Sequence, residues 1–259
     1  MKFVLGGVVV LGVVTLTIIA QQTIDPASPY PYLVGICATN TSFKCHGILV
    51  SKNKVLTAGH CLEGLKEVRV YLADPGMNNS CTYNSNGHTV NSTFIKLHEK
   101  YENLENGAIM NDVAMIKLSQ PVNLTNFKVG NLTTAPLKTY YNKNITLHNS
   151  ASKNIKVEVG VDAKCKDLYK NVFVEKEQGC FISPSHQEEA FDGNGFPLQL
   201  NGTVFGYTTI DPLKKVYCGL FVDIFAHYKW IHDEINGGHM TLGCCFIVLF
   251  GQILLWVVL

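Results

Sequence analysis

Residues 45–61 read CHGILVSKNKVLTAGHC. Two β-prone runs, GILV and KVLTAG, stand on either side of a polar cluster, and a cysteine closes each end. Short runs rich in branched apolar residues, broken by polar clusters, indicate short antiparallel strands. His60 lies where the second run ends, next to Cys61.

The same pattern continues outward. EVRVYL, VAMIKL, IKVEVGV and TVFGYTTI are further β-rich runs, separated by Asn, Gly, Pro and Ser clusters. The body of the chain therefore reads as all-β. One helix is predicted, DIFAHYKWIHDEI over Asp223–Ile235. Its Ile224, Phe225, Tyr228, Ile231 and Ile235 recur at three- and four-residue steps, and Gly237 follows as a stop signal. No internal repeat or long linker interrupts the chain.

Both ends are apolar. Residues 1–20, MKFVLGGVVVLGVVTLTIIA, carry one Lys, then an apolar run, then a small residue before Gln21 and Gln22. That order predicts a secretory signal peptide cut after Ala20, with an uncleaved signal anchor as the alternative. Residues 240–259, MTLGCCFIVLFGQILLWVVL, have no charge and no polar stripe, and are long enough to cross a bilayer as a helix. Just before them stand Asn236, Gly237 and Gly238, small residues suited to glycolipid transfer. The C-terminal segment 237–259 is read as a GPI signal with Asn236 as the attached residue, although its spacer is shorter than usual. A retained transmembrane tail is the alternative. Between the two ends, residues 21–236 are long enough for one β domain or one pair of barrels.

A formal net charge of +1 with no charge run argues against nucleic acid as a partner. No cofactor or metal is expected. Sequons at Asn40, Asn78, Asn91, Asn123, Asn131, Asn144 and Asn201 predict exposed loops or turns at most of those sites and a sugar-coated surface. The stretch between the two ends holds Cys37, Cys45, Cys61, Cys81, Cys165, Cys180 and Cys218. In an oxidising compartment these should pair, and an odd number leaves one over.

Three stretches carry a family resemblance. CHGILVSKNKVLTAGHC resembles the segment around the catalytic histidine of chymotrypsin-like (S1 family) serine proteases. NDVAMIKLSQPV, Asn111 to Val122, resembles the segment around their catalytic aspartate. GNGFPL, followed by NGTVFGYTT and ending in KWIHDEI, resembles the serine loop, the next strand and the C-terminal helix. The order of the motifs is the family's, and they span nearly the whole mature chain. The resemblance implies two six-stranded antiparallel β-barrels (a trypsin-like fold) with a cleft between them and a C-terminal helix. It also implies bridges Cys45–Cys61, Cys165–Cys180 and, less usually, Cys37–Cys81, with Cys218 left over. Closing a loop the size of Cys45–Cys61 stabilises by about 3 kcal/mol in the chain-entropy model.

By the same resemblance His60 is the general base and Asp112 the carboxylate that orients it. The nucleophile's place is taken by Asn194. An amide nitrogen is not nucleophilic, and removing a triad's nucleophile costs on the order of a millionfold in turnover. Asp192 stands where the family has a glycine whose N–H helps hold the oxyanion, a loss of about 10²–10³-fold. Gly193 replaces the aspartate of the activation switch, and no Lys or Arg lies between Lys2 and Lys44 to provide a trypsin-like activation site. Ala190 replaces the cysteine before the serine loop, and Phe196 is bulky where the family has glycine. Other nucleophiles considered are Ser183, Ser185 and Cys218. Glu188 and Glu189 lie near the base of the family's specificity pocket but read better as a solvated loop.

The sequence therefore predicts a non-catalytic protease homologue on the outer cell surface. Its expected work is to bind an extracellular protein ligand, a protease or an inhibitor, with the membrane engaged through the C-terminal anchor. The alternatives are an active hydrolase with an unorthodox nucleophile and a structural surface glycoprotein.

Overall fold

The computed structural model describes residues 30–38, 42–72, 81, 88–125, 127–148, 154–183, 194–210 and 218–237. The signal-peptide reading and the apolar tail after Gly237 lie outside these. Among the described residues no helix is long and apolar enough to cross a membrane.

The strands are β1 (Leu33–Ala38), β2 (Ser42–Ser51), β3 (Lys54–Thr57), β4 (Arg69–Leu72) and β5 (His88–Leu97). They continue with β6 (Glu102–Asn103), β7 (Ile109–Met110), β8 (Ala114–Leu118), β9 (Asn131–Leu132) and β10 (Asn144–His148). The last five are β11 (Asn154–Val159), β12 (Gln178–Ile182), β13 (Pro197–Leu200), β14 (Thr203–Thr208) and β15 (Cys218–Asp223). Helix α1 spans Asp162–Tyr169 and α2 spans Tyr228–Ile235.

The quoted opening stretch folds as β2 and β3, paired antiparallel with Ile48 opposite Leu56. These strands belong to a closed barrel in the order β1-β2-β3-β8-β5-β4. Ile36, Ile48, Leu56, Val70 and Ile116 are wholly buried in its core. Closure removes the exposed strand edges that would otherwise invite pairing with other chains.

The second sheet runs β10-β11-β12-β15-β14-β13, with β9 added in parallel to β14. It is a half-barrel and not the second closed barrel expected. Its end strands β10 and β13 approach each other without a ladder. The ladder between β13 and β14 is irregular: Leu198 pairs with Gly206 and Gln199 with Val204, so Phe205 is an extra, bulged residue on β14, and a bulged strand bends out of regular pairing.

The predicted C-terminal helix begins later than its apolar spacing suggests. Asp223 is the last residue of β15, opposite Gly206, and its carboxylate accepts the Phe225 N–H at 2.9 Å. The chain turns there and becomes α-helical only at Tyr228. Helix α1 escaped notice because DAKCKDLY buries only Cys165 and Tyr169, too sparse a stripe to show a helical period.

Disulfides join Cys37–Cys81, Cys45–Cys61 and Cys165–Cys180, with Cα–Cα distances of 6.1, 6.0 and 5.6 Å. Cys218 is buried and forms no disulfide among the described residues. The sequon residues Asn91, Asn123, Asn131, Asn144 and Asn201 are all exposed. Asn91, Asn131 and Asn144 lie on strands, not in the loops or turns expected. Asn40 and Asn78 fall outside the described residues.

Between β12 and β15, Gly179 faces Phe221 and Phe181 faces Gly219. Each buried phenyl ring covers the glycine opposite, so that a Cβ on Gly219 would come within 2.3 Å of the Phe181 ring. That ring is wholly enclosed and has nowhere to move. Gly219→Ala is therefore expected to destabilise by about 1–3 kcal/mol, the usual range for overpacking, read as a lower midpoint in chemical denaturation. An unchanged midpoint would show that the two rings are not rigidly held.

Candidate active site

His60 occupies the single 3-10 turn Gly59–Cys61 that follows β3. The Cys45–Cys61 bridge ties this turn back to β2. Asp112 precedes β8, directly after Asn111, whose φ of 49° marks a sharp local turn. These placements bring the two side chains together. His60 Nδ1 lies 2.8 Å from Asp112 Oδ2, and the His60 backbone N–H donates to Asp112 Oδ1 at 2.8 Å.

Asp112 is 2% exposed, and a buried carboxylate needs partners for its lone pairs. Thr209 Oγ1 donates to the same Oδ2, and the Tyr207 hydroxyl donates to the Asp112 backbone carbonyl at 2.9 Å. Burial alone would push the carboxyl up. The His60 imidazole and the bonds from His60 and Thr209 outweigh it and hold Asp112 below its ordinary value. With Nδ1–H given to the carboxylate, His60 carries its lone pair on Nε2, the tautomer of a general base. That Nε2 lies 3.5 Å from Cys61 Sγ. Cys45, His60 and Cys61 cluster closely enough to suggest a metal site. The two sulfurs are bonded to each other, so neither is available as a thiolate.

Asn194 is half-buried and held in place. Its carbonyl accepts the His46 N–H at 2.8 Å, and the following Gly195 N–H donates to the Thr208 carbonyl at 2.7 Å. Gly195 has a φ of 76°, and a Cβ there would sit 2.1 Å from the His46 carbonyl oxygen, so only glycine fits. Phe196 N–H donates to Thr208 Oγ1 at 2.9 Å, and the Thr208 N–H returns a bond to the Phe196 carbonyl. This half of the loop is fixed between β2 and β14. Ala190, Asp192, Gly193, Glu188 and Glu189 fall outside the described residues.

Phe196 does not act as a block in the cleft. It is buried against Tyr30 and His46, with ring centroids 5.0 and 5.4 Å away, and joins the first barrel's core. Phe43 on one side and Tyr32 on the other extend this into a chain of five rings. Four of the five rings lie within residues 30–46, and only the fold brings Phe196 to them, so the chain of rings has no signature in the sequence. Cys218 packs in a different cluster, where the Tyr169 hydroxyl donates to its sulfur at 3.4 Å. Ser183 is buried, and Ser185 lies outside the described residues.

Behind Asp112 lies a recess of about 490 Å³ that has no counterpart in any sequence motif. Asn111, His98, Lys100, Lys176, His227 and Trp230 are among its walls. His227 is 5% exposed, and its Nε2 has no hydrogen-bond partner among the described residues. Burial, helped by the neighbouring His98, pushes its pKa down to about 4, against a smaller opposite pull from Asp112. Asp223 shifts the other way: burial pushes it up to about 6.

The trypsin family's sequence model matches residues 18–231. Chymotrypsin of Phaedon cochleariae is 37% identical over 105 residues, which cover 40% of this chain and 36% of that protein. Brachyurin of Leptuca pugilator is 26% identical over 203 residues, covering 74% and 86%. The solved structure of neuropsin, a serine protease of mouse brain, superposes with a TM-score of 0.63 at 20% identity, covering 80% of this chain and 95% of that one. At that identity the superposition speaks for the fold alone.

The buried histidine sets an expected acid response. The unfolded chain protonates His227 near 6.5 and the folded chain only near 4. Its contribution is therefore complete above pH 6.5 and is lost as pH falls toward 4, by up to about 3 kcal/mol. Asp223 opposes this, because its folded form takes a proton first, near pH 6. His227→Phe should therefore gain up to about 3 kcal/mol relative to wild type between pH 7 and pH 4 in denaturant titrations. A pH-independent difference between the two proteins would mean that His227 is not held neutral.

Proposed function

Because the chain belongs to the trypsin family, we propose that it is a non-catalytic member displayed on the outer cell surface, where it binds an extracellular protein ligand, a protease or an inhibitor. The observation that carries this reading is Asn194. Asn194, whose carbonyl accepts the His46 N–H, stands at the position that the resemblance gives to the nucleophile, and its side chain is an amide, not a hydroxyl. The amide nitrogen's lone pair is delocalised into its carbonyl, so a general base cannot turn it into a nucleophile. By the resemblance Asp192 brings a carboxylate to the position of the family's oxyanion-holding glycine, which adds to the loss.

The intact pair of His60 and Asp112 favours one second reading, a hydrolase that uses another nucleophile. Purified protein is expected to show no cleavage across a peptide library. Neither a serine-directed phosphonate nor a thiol alkylator should label it at a residue whose modification depends on His60. Cleavage that disappears in His60→Ala would overturn the proposal.

Restoring the nucleophile separates one lesion from several. Asn194→Ser is expected to remain inactive, because the Asp192 carboxylate still opposes the negative charge of the oxyanion and Gly193 still lacks the carboxylate of the switch aspartate. Turnover regained by that single change would show that Asn194 alone silences the enzyme.

The surface location rests on the apolar segment of residues 240–259 and the sequons. Full-length protein should float with membranes and be accessible on intact cells. Recovery in the soluble fraction would remove this part of the reading.

A further inference from the structure

Helix α2 ends against the first barrel. Lys54 Nζ on β3 donates to the backbone carbonyls of Glu234 and, at 3.1 Å, Ile235. Lys96 Nζ on β5 pairs with the Glu234 carboxylate at 2.6 Å. Two lysines of the barrel thus hold the last turn of the helix, and with it the point where the chain leaves at Gly237. Gly237 lines a groove of about 200 Å³ together with Lys54, Phe94, Lys96, Met115, Lys117 and Glu234, whose carboxylate is taken up by Lys96.

That groove has an ordered face. Lys54 pairs with Lys117, and Lys117 pairs with Phe94, so the three form one cross-strand row over β3, β8 and β5. Phe94 is 57% exposed, the highest value among the large apolar residues described. Lys117 is exposed and has no ion-pair partner among the described residues. A bare phenyl ring beside ammonium groups is the pairing that membrane-surface segments use: the ring enters the interface and the lysines reach the headgroups.

Tether length decides how close this face comes to the bilayer. Only Gly238 and His239 separate Gly237 from Met240, where the uncharged apolar segment begins. Three Cα-to-Cα steps reach about 11 Å at most, while the headgroup layer is about 5–8 Å thick on each side. If residues 240–259 sit in hydrocarbon, Gly237 is at headgroup level, and Lys54 and Lys96 prevent the domain from swinging away. The competing glycolipid reading meets an obstacle at Asn236. That residue caps α2: its backbone N–H and its side-chain amide both donate to the His232 carbonyl. Three residues also stand where a spacer of about 8–12 is usual.

We propose that residues 240–259 remain in the protein as a membrane-spanning helix and that the face bearing Lys54, Lys117 and Phe94 rests on phospholipid headgroups. This deepens the surface-display reading and depends on it. The groove's occupant is the headgroup phosphate, which suits the row's unpaired positive charge.

The test uses full-length protein on intact cells, treated with a membrane-impermeant amine reagent and mapped by mass spectrometry. A second version carries a twelve-residue Gly/Ser insert between Gly238 and His239, adding a reach of about 19 Å. Lys117 should label several-fold less in the native chain than in the lengthened one, with Lys138 and Lys143 equal in both. A glycan on Asn91, three residues from Phe94 on β5, is common to both versions. Equal labelling of Lys117 in the two would overturn the proposed face. Release by a phosphatidylinositol-specific phospholipase would overturn the retained helix in favour of a glycolipid. Absence from membranes altogether would instead overturn the surface-display reading beneath it.

Discussion

An ionised carboxylate that is wholly enclosed has to be answered from every side, and in this protein Asp112 is answered by both sheets. His60 reaches it from the turn after β3 of the closed barrel. Thr209 and Tyr207 reach it from β14 and the residue after it, in the half-barrel. The bonds that hold Asp112 ionised therefore also hold the two halves together. Taking away one partner would leave a buried charge partly unanswered, which is among the more costly defects a fold can carry. This gives a reason for His60 and Asp112 to persist that has nothing to do with turnover. A surviving base-carboxylate pair is weak evidence for catalysis when the same bonds join the domain.

The loop opposite makes the complementary point. Asn194 keeps the backbone bonds of a fixed position while its side chain offers no nucleophile. Architecture and chemistry are separable here because the backbone of residues 194–196 is held by His46 and Thr208, whatever the side chain at 194. Substitution at that point alters the chemistry and leaves the ladder intact.

Much of this was legible in the residues. The runs GILV and KVLTAG, set either side of SKN, became β2 and β3. His60 and Asp112 stood in stretches specific enough to place them side by side. Other features were hidden for physical reasons. The helical spacing of Ile224 and Phe225 runs on from α2, yet Asp223 ends a strand, because pairing with Gly206 outweighs local periodicity. Sequons predict exposure and not turns: a strand of a barrel has a solvent face, and Asn91 lies on one. The half-open second sheet goes with a bulge at Phe205 of β14, and the recess behind Asp112 draws on three separate segments, around residues 98–111, 176–177 and 226–233. Neither has a local signature.

The five rings from Phe43 through His46, Phe196 and Tyr30 to Tyr32 have a thermodynamic consequence of their own. They make the ground under Asn194 an outgrowth of the barrel's core. A loop that must be ordered by its ligand pays for that ordering out of the affinity. Here the chain entropy has already been given up during folding, and whatever docks beside Asn194 meets a surface whose shape is settled before it arrives.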